Sequence, residues 1–118
     1  PKAVLDVQTG ETVWSHWGEY VEWNQDGTQL AVSGFDRATV LAAEDGREQL
    51  KIVIPDGSVL SMSWSPQGDA LAFGMRDNTV SVWSARTGKP LATLRGHSDF
   101  VRYLAWNHDG TMLASTSI

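Results

Sequence analysis

Between Val59 and Leu94 the apolar positions fall into four short runs. Leu60, Met62 and Trp64 share one face of the first, Leu71 and Phe73 one face of the second, Val80 and Val82 mark the third, and Leu91, Thr93 and Leu94 belong to the fourth. Alternation with period two predicts strands. The spacing of three and four that a helical repeat requires is missing. The opposite faces carry Ser61, Ser63, Ala70, Ala72 and Gly74, which are small rather than charged. A strand apolar on one face and small on the other suits a sheet covered on both sides.

The same pattern returns along the chain. Trp23-Asn24-Gln25-Asp26-Gly27, Trp64-Ser65-Pro66-Gln67-Gly68 and Trp106-Asn107-His108-Asp109-Gly110 are copies of one phrase, 41 and 42 residues apart. Three residues after each glycine stands Leu30-Ala31, Leu71-Ala72 or Leu113-Ala114. In Ser65-Pro66-Gln67-Gly68 an oxygen-bearing residue comes first, proline presets φ at the second position, and glycine comes last, which fits a type I turn. Thr9-Gly10, Asp45-Gly46 and Thr87-Gly88 mark a second hairpin, and Asp36 and Asp77 a third. Three turns per period join four strands into one antiparallel unit, and a period near 41 falls among four-stranded propeller repeats.

Val80-Ser81-Val82-Trp83-Ser84, followed by Thr87-Gly88, Leu91, Leu94 and Gly96-His97, resembles the signature of the WD-repeat (WD40) β-propeller family, and the resemblance runs through all three copies. It implies an all-β fold of blades with four antiparallel strands, a to d, with d on the rim. It also implies a blade lock of His before strand a, Ser or Thr in b, Asp in the b to c turn and Trp in c. No copy has all four. Asp77 and Trp83 occur in one copy, with Phe73 at the hydroxyl position and Pro55 near the histidine position; His97 and Ser115 occur in the last; the first keeps Asp36 but has Ala42 or Ala43 in place of Trp. With Trp23, Trp64 and Trp106 these are the expected structural positions of the blades. Packing and ring closure are expected to carry more of the stability.

Aligning Gly10 with Gly88 places Pro1 opposite Thr79, and aligning Leu113 with Leu71 places Ile118 opposite Arg76. The expected organisation of residues 1–118 is therefore strands c and d of a split blade in 1–18, complete blades in 19–54 and 55–96, and strands a and b of the split blade in 97–118. Such a partial, three-blade propeller is expected to close by oligomerisation: two copies give six blades, three give nine. The alternative is an excerpt of a larger signalling or enzymatic protein, completed by another chain; the missing initiator methionine favours it.

Composition removes several functions. The net charge is −5 and the basic residues are scattered, nine among fourteen acidic ones, so no stripe matches a phosphate backbone and nucleic acid is not an expected partner. No apolar run is long enough to span a bilayer and no secretory pattern opens the chain, so a cytoplasmic protein without a membrane partner is expected. Cysteine is absent, which excludes disulfides. His97-Ser98-Asp99 has the residue types of a catalytic triad, but triads are defined by geometry, and His97 reads as a blade residue. His16 and His108 stand alone where a metal needs three or four ligands. Glu19 with Glu22, and Asp36 with Asp77, read as solvated rather than as acid and base across a cleft. Neither enzyme activity, a metal nor a cofactor is expected.

Trp14 and Trp17, without counterparts in the other copies, read as cover for the core or rim, with an exposed aromatic contact as the alternative. The b to c and d to a loops share one rim and offer Phe35, Arg37, Arg76, Asn78, Asp99, Phe100 and Arg102. Arginine and phenylalanine are enriched in protein interfaces. That rim, or the central channel of a closed ring, is the expected site for a protein or peptide ligand on a non-enzymatic scaffold.

Overall fold

In each copy the tryptophan pairs with the leucine seven residues on: Trp23 with Leu30, Trp64 with Leu71 and Trp106 with Leu113. The computed structural model describes residues 2–5, 8–34, 36–54 and 59–117. Phe35 and Pro55 lie outside the described residues. Twelve strands follow one another: β1 (Lys2–Leu5), β2 (Thr12–His16), β3 (Tyr20–Trp23), β4 (Gln29–Ser33), β5 (Arg37–Ala42), β6 (Glu48–Val53), β7 (Val59–Trp64), β8 (Ala70–Met75), β9 (Val80–Ser84), β10 (Pro90–Leu94), β11 (Val101–Trp106) and β12 (Leu113–Ser117). They form two four-stranded antiparallel meanders, β3 to β6 and β7 to β10, flanked by the hairpins β1-β2 and β11-β12.

Local chemistry accounts for the turns. Asn24, Ser65 and Asn107 each accept, through a side-chain oxygen, the N–H of the residue five positions on, at 3.1, 3.0 and 2.9 Å. Each carbonyl also takes the N–H of the turn glycine, at 3.2, 2.9 and 3.1 Å. Gly27, Gly68 and Gly110 adopt φ of 75°, 77° and 76°, the left-handed region that a Cβ disfavours.

The sheets stack face to face. Every residue of β8 is buried, small residues as well as large, as the two-faced pattern predicts. One core joins Ala31, Ala38, Val40, Ile52 and Ile54 of the first meander to Met62, Trp64, Leu71, Phe73 and Trp83 of the second. Ala70, Ala72, Val80 and Val82 then meet Val101, Leu104, Trp106 and Leu113 of the last hairpin. Gly74 is a point of close approach at this second seam, since a Cβ there would lie 2.2 Å from Ser61 Oγ and 2.5 Å from the Val101 carbonyl. Each stacking step is also tied by an indole. Trp64 Nε1 donates to the Glu22 carbonyl at 2.9 Å, and Trp106 Nε1 to the Ser63 carbonyl at 3.0 Å. Both acceptors immediately precede the tryptophan of the previous copy.

At the other end Trp14 packs on Leu30, Val32 and Leu41 and donates from Nε1 to the Ala43 carbonyl at 2.8 Å. It covers the two inner strands, β4 and β5. Trp23, expected to be packed like its sisters, is 48% exposed where Trp64 is 7% exposed. The reason is positional: Trp64 lies against the preceding meander, whereas the hairpin before Trp23 covers β4 and β5 rather than β3. The molecule is elongated, 45 × 28 × 26 Å.

The blade lock is divided. His97 Nε2 lies 2.7 Å from Ser115 Oγ, the pair implied for the last copy. Asp77 instead accepts from Thr79, and Trp83 Nε1 donates to Ser81 Oγ on its own strand. With Phe73 filling the hydroxyl position, the polar groups of this blade satisfy themselves locally and burial of the Phe73 ring holds the blade.

Candidate functional site

Antiparallel meanders bring the β4-β5 and β8-β9 turns to the same rim as the segments entering β3 and β11. Arg76 follows β8. Its turn is shaped by Asn78, at φ 74°, whose N–H donates to the Met75 carbonyl at 3.3 Å, and by Asp77, whose carboxylate takes the Thr79 N–H at 3.1 Å. Asparagine tolerates this left-handed conformation better than most residues. Phe100 precedes β11 with its N–H held by Asp99 Oδ1 at 2.7 Å. The Arg76 guanidinium carbon stands 5.2 Å from the centroid of the Phe100 ring, and that of Arg102, on β11, 6.0 Å away. Both fall in the range of cation–π attraction.

Three of the seven rim residues therefore meet at the seam between two sheets: Arg76, Phe100 and Arg102. Asn78 and Asp99 act on the loops that carry them. Arg37 does not join, because its Nε pairs with Asp36 Oδ1 at 3.1 Å with both side chains more than half exposed. Phe35 lies outside the described residues. Trp17, assigned to cover, is instead 80% exposed in the loop before β3. It does have an aromatic counterpart: it stands six residues before Trp23, as Phe100 stands six before Trp106. Ser58 at that position in the middle copy hides the correspondence.

The remaining candidates have structural partners. His16 Nδ1 donates to the Trp17 carbonyl at 2.8 Å, and its Nε2 is 3.6 Å from Glu48 across the sheet boundary. His97 contacts Ser115 while Asp99 caps Phe100, so His97, Ser98 and Asp99 do not form a triad. His108 is exposed beside a shallow cleft on the opposite rim, lined by Gln25, Pro66, Gln67, Trp106 and Asn107. Among the described residues no three His, Asp or Glu side chains converge as metal ligands, and no helix is long and apolar enough to cross a membrane. Glu22 remains accessible, yet partial desolvation raises its carboxyl above the usual range. Hydrogen bonds from Thr28 and Thr111 lower those of Asp26 and Asp109.

Stacked four-stranded sheets, tied by recurrent tryptophans and carrying a loop rim, define a β-propeller interaction scaffold. The family model of the anaphase-promoting complex subunit 4 WD40 domain matches residues 49–109, and the chain belongs to this WD40 family. It is similar to the probable cytosolic iron-sulfur protein assembly protein 1 of Candida glabrata, 34% identical over 75% of this chain and 31% of the relative. It is also similar to the mouse F-box-like/WD repeat-containing protein TBL1X, 25% identical over 82% of this chain and 18% of the relative, and to mouse WD repeat-containing protein 19, 30% identical over 78% and 7%. The chain spans less than a third of the length of these relatives.

Proposed function

We propose that the chain is a non-enzymatic platform that binds a protein or peptide at the rim formed by the b to c and d to a loops, with Arg76, Phe100 and Arg102 at its centre. The observation that carries this reading is the convergence of two arginines on one half-buried aromatic ring at a blade seam. Arginine and aromatic side chains dominate interface energetics. Peptides selected by display on the folded chain are expected to lose about tenfold in affinity or more with Phe100→Ala while the thermal midpoint is kept. Selected peptides that bind the variant as tightly as the parent overturn the rim reading.

The proposal includes completion of the propeller by further blades, and the exposure of Trp23 supports it. A second copy presenting β11-β12 over β3 would bury Trp23 as Trp64 is buried and give six blades. In light scattering the self-assembling reading requires a discrete mass of twice 12.9 kDa or more. A stable monomer overturns it in favour of a propeller segment completed by a longer chain, the reading that the greater length of the relatives supports. A cytoplasmic setting is proposed as well; the similarity to the Candida glabrata cytosolic iron-sulfur protein assembly protein supports it.

A further inference from the structure

Two guanidinium groups beside one benzene ring are an uncomfortable arrangement unless something else is present. Each is attracted to the ring face, but the like charges repel, and the usual remedy is a carboxylate between them. None is supplied among the described residues. Among the described residues neither Arg76 nor Arg102 forms an ion pair, whereas Arg37, Arg47 and Lys51 all do. The two acids nearest in sequence are committed elsewhere: Asp77 to the N–H and hydroxyl of Thr79, Asp99 to the N–H of Phe100. Arg86, Lys89 and Arg95 are also outside ion pairs, but none of them stacks on a ring among the described residues. Among the described residues, only at this seam are two cations held by a common aromatic surface.

Stacking matters chemically. A guanidinium lying on a ring loses side-chain freedom while its N–H edges stay able to grip an oxyanion in bidentate fashion. The anion in turn relieves the repulsion between the arginines. The overall charge of −5 and the scattered basic residues argue against a nucleic-acid backbone as the source of that anion, since such a partner needs many cations in a row. Phe100, half-buried, adds an apolar patch next to the charges. We infer that Arg76, Phe100 and Arg102 form a binding site for an acidic peptide segment, taking an Asp or Glu carboxylate between the two arginines and a neighbouring apolar side chain against the ring. This rests on the rim reading and names the chemistry of its partner.

Fluorescence anisotropy with a labelled peptide of glutamate and leucine, and with the same peptide carrying glutamine for glutamate, tests it on the full chain. The glutamate peptide is expected to bind at least about tenfold more tightly than the glutamine peptide, and more weakly at about 300 mM than at about 50 mM salt. Arg76→Gln and Arg102→Gln are each expected to cost about fivefold, and the double variant to abolish the preference for glutamate. Arg76→Lys with Arg102→Lys, which keeps the charge but not the bidentate fork, is expected to fall between. Circular dichroism establishes that each variant is folded. Equal binding of the two peptides, insensitivity to both glutamine substitutions, or binding of a phosphopeptide or single-stranded DNA without binding of the glutamate peptide overturns the inference. A display-selected peptide that depends on Phe100 but ignores both arginines overturns the acidic preference alone and leaves the rim reading standing.

Discussion

Thr28 and Thr111 each stand two residues after a turn aspartate and donate both backbone N–H and hydroxyl to its carboxylate, at 3.0 and 2.6 Å in the first turn and 3.1 and 2.6 Å in the second. Because these bonds favour the ionised form, the carboxyls of Asp26 and Asp109 titrate below their ordinary range. A lowered folded pKa stabilises the fold above the unfolded value and is lost as pH falls through the folded one. Thr28→Val with Thr111→Val is therefore expected to raise both carboxyl pKa values in an NMR titration. Its deficit in thermal midpoint should be present at neutral pH and should shrink in acid. Glu22 works in the opposite sense. Its raised carboxyl contributes fully below the unfolded pKa, and the contribution disappears as pH rises through the folded one. Glu22→Gln is expected to raise the midpoint relative to the parent near neutral pH and to match it in acid.

Among the elements, the turns and strand faces were legible because they depend on neighbours in sequence. Gly68 sits at positive φ and β8 is buried on both sides, as the turn grammar and the two-faced pattern predict. What the elements do to one another was less accessible. That Trp64 and Trp106 tie consecutive sheets by donating to Glu22 and Ser63 follows from how the sheets stack, not from the motif. Gly74 shows the same dependence. It reads as one more small residue in a strand, yet the Val101 backbone approaches so closely that a methyl group has no room. Gly74→Ala is expected to destabilise the fold by about 1–3 kcal/mol in urea unfolding through overpacking of the seam. Trp64→Phe should cost about 1–3 kcal/mol, because it leaves the Glu22 carbonyl without its donor and a gap beside it.

Over the whole molecule, stacking order sets the distribution of stability. β4, β5, β8 and β9 lie inside meanders and under neighbouring sheets, whereas β10 is exposed along its length and β12 is covered on one face only. Hydrogen exchange is expected to be slowest in the first four and fastest in β10 and β12. Uniform protection across all twelve strands would contradict this gradient. The same order leaves Tyr103, on β11, 72% exposed and Trp23 48% exposed. Their sisters in the middle copy are Ser61, half-buried, and Trp64, buried. A copy in the middle of an arc is enclosed by repeats like itself; the outer ones are not.

Strand alternation, turn types, the 41- to 42-residue period and membership of a WD-repeat class could all be read along the chain, since each rests on spacing between residues close in sequence. The meeting of Arg76 with Phe100 could not. It joins the end of one sheet to the approach of the next, and the distance between them is set by how two faces settle against Gly74 and Val101. For the same reason the bareness of Trp23 emerged only with the folded chain: which face goes uncovered depends on packing across sheets.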